Sequence, residues 1–174
     1  LSPVKINTVL LRGHNLEEAP RLVGWARERD LTIRFIELMP LGCIEHQFSR
    51  LYVSTDEILE LLQRHYRLTP LPREEGASSR YYTMTEGEET KGRVGFISSM
   101  SHPFCSGCRR LRLMSDGRLL GCLKDPDGVQ IRNLLRSPHP RAERKLAELV
   151  SEMMDRKGTN RSFSGVETLV ARGG

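Results

Sequence analysis

The sequence predicts a mixed α/β fold, with parallel βα units first and antiparallel strands and helices after them. Three observations carry this expectation. The first 65 residues alternate strand-like and helix-like patterns. From about Tyr66 the chain changes to short alternating runs separated by polar or glycine-bearing turns. A long amphipathic helix then follows between Arg141 and Arg156. Strands alternating with helices favour parallel, right-handed connections, whereas successive short strands favour hairpins.

Each element has its own signal. Val4 to Leu11 is apolar or β-branched except for Lys5 and Asn7, and reads as a buried strand. Asn15 is placed to cap a helix, with Glu17 and Glu18 in its positive first turn, running to about Arg29. "LTIRFIELM", from Leu31 to Met39, is a second strand stopped by Pro40. After a long loop, Ser54 and Glu57 form a capping box for "STDEILELLQRH". "RYYTMT" and "RVGFISS" read as antiparallel strands around "EGEETKG", and "RRLRLM" and "GRLLGC" as another hairpin. Ile131 to Arg136 is a short helix. In the helix from Arg141 to Arg156, Leu146, Leu149, Val150 and Met153 form a core stripe. The tail "KGTNRSFSGVETLVARGG" shows no clean period. The change of pattern places a domain boundary between residues 1–66 and 67–174.

Composition narrows the function. With 38% hydrophobic and 28% charged residues, the chain reads as globular. No apolar run approaches the roughly 20 residues that span a bilayer, so no membrane partner is expected. The net charge of +5 favours anions weakly. Aromatics are only 6% and no basic stretch interleaves with them, so no nucleic-acid partner is expected. A phosphate-bearing small molecule would suit the same arginines. No charged-then-apolar leader is legible, and the chain opens on Leu1 rather than Met. A fragment or processed chain is expected, cytoplasmic or, with its true start elsewhere, of the mitochondrial matrix.

Three of the four cysteines, Cys105, Cys108 and Cys122, are spaced C-x2-C-x13-C among arginines. A disulfide framework belongs mostly to small secreted chains. Zinc and an iron–sulfur cluster both suit thiolate-rich sites. Zinc wants four ligands, and His102 is available as the fourth; a cubane on three cysteines keeps one iron open. "SDG" (115–117) fits a three-residue hairpin loop with left-handed Gly117. Met114 then faces Arg118, and counting outward sets Cys122 opposite Arg110, on the face of Cys108. A two-residue turn would instead set Cys122 opposite Leu111. Arg110 and Arg112 alternate with Leu111 and Leu113, so both guanidiniums leave one face, where they suit a polyphosphate. Lys5, inside an apolar strand, is costly unless paired.

"FCSGCRRLRLMSDGRLLGCL" resembles the C-terminal cluster motif of the radical-SAM GTP 3′,8-cyclase family of molybdenum cofactor biosynthesis. "VKINTVLLRGHN", "RFIELMP" and the terminal Gly-Gly resemble further motifs of that family. The resemblance covers nearly the whole chain but only the C-terminal half of the family's length. It implies the last βα units of an incomplete (β/α) radical-SAM barrel, plus an antiparallel-strand and helix extension carrying a 4Fe–4S site. Cys105, Cys108 and Cys122 would hold that cluster, whose open iron receives the guanine of GTP. Lys5, Arg110, Leu111 and Arg112 would bind GTP, and Met39 would pack on S-adenosylmethionine. Gly173 and Gly174 would enter the active site and serve catalysis.

Two departures stand out. Arg109 replaces the family's asparagine. The C-x3-C-x2-C motif, which binds a second 4Fe–4S cluster and with it S-adenosylmethionine, is absent, since the remaining cysteine is Cys43. The resemblance therefore implies a chain inactive alone, partnered by the N-terminal half of the enzyme and open to homodimer formation. Two alternatives stay open: a non-catalytic zinc-binding interaction module using His102, and a different radical-SAM enzyme with an auxiliary cluster.

Overall fold

A computed structural model of the chain describes residues 3–86, 89–123 and 128–156. They divide into two compact units that part between Phe104 and Cys105, with Pro40–Glu45 grouped with the second. The boundary expected at residue 66 therefore does not coincide with the division into compact units. The reason is sheet pairing: the antiparallel strands after Tyr66 hydrogen-bond to the parallel pair before it.

The first unit holds β1 (Lys5–Val9), α1 (Ala19–Glu28), β2 (Thr32–Ile36), α2 (Phe48–Leu51), α3 (Thr55–Gln63), β3 (Arg67–Pro70), β4 (Arg80–Glu86) and β5 (Glu89–Ile97). Its sheet has the order β1-β2-β5-β4-β3. β1 and β2 pair in parallel, as do β2 and β5. β5 with β4, and β4 with β3, are antiparallel. One face carries Leu10, Ile33, Phe35, Met84, Val94 and Phe96, packed with Val23 and Ala26 of α1 and Ile58 and Leu62 of α3. The two-residue period of a strand sends the intervening residues to the other face. There β1 exposes Lys5, Asn7 and Val9.

Local chemistry explains the helices and the role of Asn15. The capping box is present: Ser54 Oγ accepts from the Glu57 N–H, and Glu57 Oε1 from the Ser54 N–H, both over 3.2 Å. Asn15 caps no helix. Its Oδ1 accepts from the Leu11 N–H (2.6 Å) and its Nδ2 donates to the Val9 carbonyl (3.1 Å), so it closes the turn after β1. The chain then passes through a 3-10 turn at Leu16–Glu18, and α1 starts at Ala19 with Pro20 in its first turn. β2 is shorter than its apolar run because its last pairing is from the Glu37 N–H to the Ile97 carbonyl (3.2 Å). The loop before α3 contains a 3-10 segment, Gly42–Gln47, and the short α2, neither of which has a sequence signal.

The second unit has a three-stranded antiparallel sheet, β6 (Arg112–Leu113), β7 (Arg118–Leu120) and β8 (Val129–Gln130). Two helices follow, α4 (Arg132–Leu135) and α5 (Pro140–Asp155). The expected stripe on α5 packs as a core: Met153 is buried with Leu119 and Ile131, and Leu146, Leu149 and Val150 lie against them.

Candidate functional site

The thiol segment opens the second unit. Cys105–Gly107 is a 3-10 turn, and the Cys108 N–H donates to the Cys105 carbonyl over 3.2 Å. Such a turn brings residues three apart to one side, as a two-thiolate bite requires. The hairpin that follows has the longer of the two loops. The Met114 N–H donates to the Arg118 carbonyl (2.8 Å), and the Gly117 N–H to the Met114 carbonyl (3.0 Å). Gly117 has φ +86°, and a Cβ there would lie 2.7 Å from Arg132 Cβ. Both facts demand glycine. Asp116 fastens the loop by accepting from Arg118 N–H (3.0 Å) and Nε (2.6 Å), and these bonds hold its carboxyl below the ordinary range.

Arg112 pairs with Leu120 and Leu113 with Leu119. Continued outward by the same count, this register sets Cys122 opposite Arg110. Arg110 and Arg112 are exposed. Leu111 packs on the core of this unit, but Leu113 is 56% exposed. Met114 is the buried residue instead, because the tight loop redirects the end of β6. The expected leucine alternation therefore fails after Leu111.

The cysteines are free thiols, with Cys105, Cys108 and Cys122 half-buried and Cys43 exposed. Among the described residues, no three His, Cys, Asp or Glu side chains gather to hold a metal. His102 Nε2 lies 3.0 and 3.1 Å from the two Asp56 carboxylate oxygens, a contact that occupies one of its two ring nitrogens. The donor set, three thiols with two on one turn, is of the kind that a cluster held by three thiolates would use.

In the first unit, Lys5 opens β1 on the sheet face opposite the helices. Its Nζ lies 5.9 Å from the centre of the Tyr81 ring, and the Arg93 guanidinium lies 5.6 Å from that ring. Register aligns Asn7 with Arg34, Arg34 with Gly95, and Gly95 with Tyr81. Arg34 Nε donates to Asn7 Oδ1 over 2.8 Å. Met39 stands half-buried three residues beyond β2. Gly173 and Gly174 lie outside the described residues.

A family model described as Molybdenum Cofactor Synthesis C matches residues 31–163. The chain belongs to that family. It is 41% identical over 162 residues to a GTP 3′,8-cyclase of Marinobacter nauticus, covering 92% of this chain and 48% of that protein. It is 39% identical to GTP 3′,8-cyclase 1 of Pseudomonas aeruginosa, again covering 92% and 48%. A GTP 3′,8-cyclase of Brucella ovis is 35% identical, with 92% and 45% covered. The chain spans about half the length of the curated relatives it matches.

Within this member of the Molybdenum Cofactor Synthesis C family, the structure also shows a hub that the sequence reading missed. Glu37, 2% exposed, accepts from the N–H groups of Thr55 (2.8 Å), Met100 (2.7 Å) and Ser101 (2.9 Å), and from the Ser101 hydroxyl. Burial pushes its carboxyl up, but these four bonds outweigh that and hold it below the ordinary range. Burial and the Glu37 charge push the neighbouring Tyr52 phenol up to about 12. A carboxylate at the end of an apolar strand was the available signal. Among the described residues no helix is long and apolar enough to cross a membrane.

Proposed function

We propose that the chain supplies the auxiliary-cluster and GTP-holding part of a GTP 3′,8-cyclase. The complete enzyme converts GTP to (8S)-3′,8-cyclo-7,8-dihydroguanosine 5′-triphosphate in molybdenum cofactor biosynthesis. The observation that carries this reading is the hairpin register, Arg112 opposite Leu120, which continued outward by the same count aligns Arg110 with Cys122. Relatives of that name, matched over 92% of this chain, support it.

Cys105, Cys108 and Cys122 would hold the cluster as thiolates. A 4Fe–4S group on three thiolates offers one iron to a donor atom of the substrate. Arg110 and Arg112 hold phosphate through bidentate guanidinium contacts, with the Leu111 backbone between them anchored by its packed side chain. Lys5 adds a further cation for the nucleotide, and Met39 packs on S-adenosylmethionine. Gly173 and Gly174 would serve catalysis. The four cysteines stand at 43, 105, 108 and 122, so this reading requires a partner segment carrying C-x3-C-x2-C, which binds the second cluster. The βα units β1-α1-β2 and α3 form the end of an incomplete barrel in that assembly.

The test is anaerobic reconstitution of the complete enzyme. Iron and sulfide should be present and zinc absent, and removing His102 should leave the metal content unchanged. Arg110→Ala and Arg112→Ala should each weaken GTP binding by about 1.5–3 kcal/mol, the scale of a hydrogen bond to a charged group, with iron retained. Removing Gly173 and Gly174 should cut cyclised product while S-adenosylmethionine cleavage continues. Stoichiometric zinc that depends on His102, or unchanged GTP affinity in both arginine variants, would overturn the reading.

A further inference from the structure

The sheet face opposite α1 and α3 is built around one aromatic ring. Gly95 is the reason the ring can sit there. A Cβ on Gly95 would fall 2.7 Å from Tyr81 Cε1 and 2.9 Å from Arg34 Cγ. Tyr81 and Arg34, on the strands either side of β5, therefore close over the glycine and meet. Two more cations flank the ring, Lys5 at 5.9 Å and Arg93 at 5.6 Å. Among the described residues neither Lys5, Arg34 nor Arg93 pairs with a carboxylate. Their polar partners are neutral: Asn7 Oδ1 for Arg34 and Thr32 Oγ1 for Arg93, at 2.8 and 3.4 Å.

Three cations on one face repel one another, and long flexible side chains lose much freedom when a ligand orders them. The electron-rich ring faces and the phenol oxygen of Tyr81 counter both effects. They attract the charges and hold them in place before any ligand arrives. An uncompensated, pre-ordered set of three cations suits a polyanion with several charged oxygens, which a nucleoside triphosphate provides.

We propose that Tyr81 is a positioning residue for a nucleoside triphosphate: its ring, seated on Gly95, fixes Lys5, Arg34 and Arg93 as one preorganised cationic face for the phosphates. This rests on the reading of the chain as part of a GTP-using enzyme. The state of the phenol agrees with it. Burial pushes the Tyr81 hydroxyl up, but hydrogen bonds from Arg34 and Ser79 and the charges of Lys5 and Arg34 outweigh that, leaving it below its ordinary value.

The experiment compares Lys5→Met, Tyr81→Phe and Tyr81→Leu in the complete, reconstituted enzyme. GTP binding is measured calorimetrically without S-adenosylmethionine, and KM and kcat for GTP are measured with it. Tyr81→Leu should raise the GTP dissociation constant and KM roughly tenfold, the combined scale of two cation–π restraints, with kcat nearly kept. Tyr81→Phe keeps the ring and should lose about threefold at most. In a Lys5→Met background the loss from Tyr81→Leu should shrink, because part of it acts through Lys5. Should Tyr81→Leu not fold, Tyr81→Met, of similar volume, replaces it. A normal GTP affinity and KM in the folded Tyr81 variant, while Lys5→Met is impaired, overturns the positioning role alone. Normal affinity in Lys5→Met overturns the assignment of Lys5 to GTP and, with it, the larger reading. A fall in kcat with KM and affinity unchanged also rejects positioning.

Discussion

The two compact units place their candidate chemistry on different kinds of support. In the first, Lys5, Arg34, Tyr81 and Arg93 stand on paired strands whose opposite face is packed by Phe35, Val94 and Phe96. In the second, the cysteines and Arg110 stand on turns and strand ends, over a small core of Leu119, Ile131 and Met153. A side chain on a packed sheet has its direction set by the fold itself. A thiol on a turn takes much of its order from what it binds, because metal binding and local folding are coupled. The units should therefore respond differently to loss of a ligand and to loss of a buried contact.

The sharpest break is removal of one thiol. Cys108→Ala in the complete enzyme should abolish one cluster's iron, and hydrogen exchange should speed up across residues 105–123. Protection of β1, β2 and β5 should change little. Equal loosening of both sets of amides would show that the contrast between them is wrong.

Glu37→Gln tests the converse. The buried carboxylate ties the start of α3 to the Met100–Ser101 backbone, and the amide accepts fewer of those bonds. A loss of about 2–3 kcal/mol is expected in denaturant unfolding at neutral pH, with the metal retained. The sign with pH follows from the lowered carboxyl pKa. The stabilisation is fully present above 4.5, the ordinary value, and fades as acid protonates the folded state. The gap between parent and variant should thus narrow below that pH. A gap constant down to strongly acid conditions would remove the charge from the explanation.

The smallest effect belongs to the cap of α3. Ser54→Ala should cost about 1 kcal/mol, read as an earlier denaturant midpoint, with no change in iron or GTP affinity. A change in either would mean that α3 is more tightly tied to the ligand sites than its local bonds show.

How far each feature was legible depends on the distance over which its cause acts. The capping box, the α5 stripe and the three-residue loop at Gly117 were readable, since each depends on neighbours a few residues apart. The hairpin count from that loop correctly aligned Arg112 with Leu120. The stretch Val4 to Leu11 reads from its sequence as a buried strand, whereas β1 leaves Lys5, Asn7 and Val9 exposed, because helices pack on only one face of the sheet. The sequence could not show that β5 joins β2, because parallel pairing links segments some 60 residues apart with no local signature. It could not show that Asn15 closes a turn rather than capping a helix, since the same side chain satisfies backbone in both. Nor could it bring Tyr81 onto Gly95 beside Lys5 and Arg34, or Met100 and Ser101 onto Glu37. Those neighbours exist only after the sheet has formed. The sequence by itself determined the features whose causes lie a few residues apart: the Gly117 turn, the Ser54 cap and the α5 stripe. Tertiary structure decided which distant charges share a face, because strand pairing and core burial, not local preference, set that register.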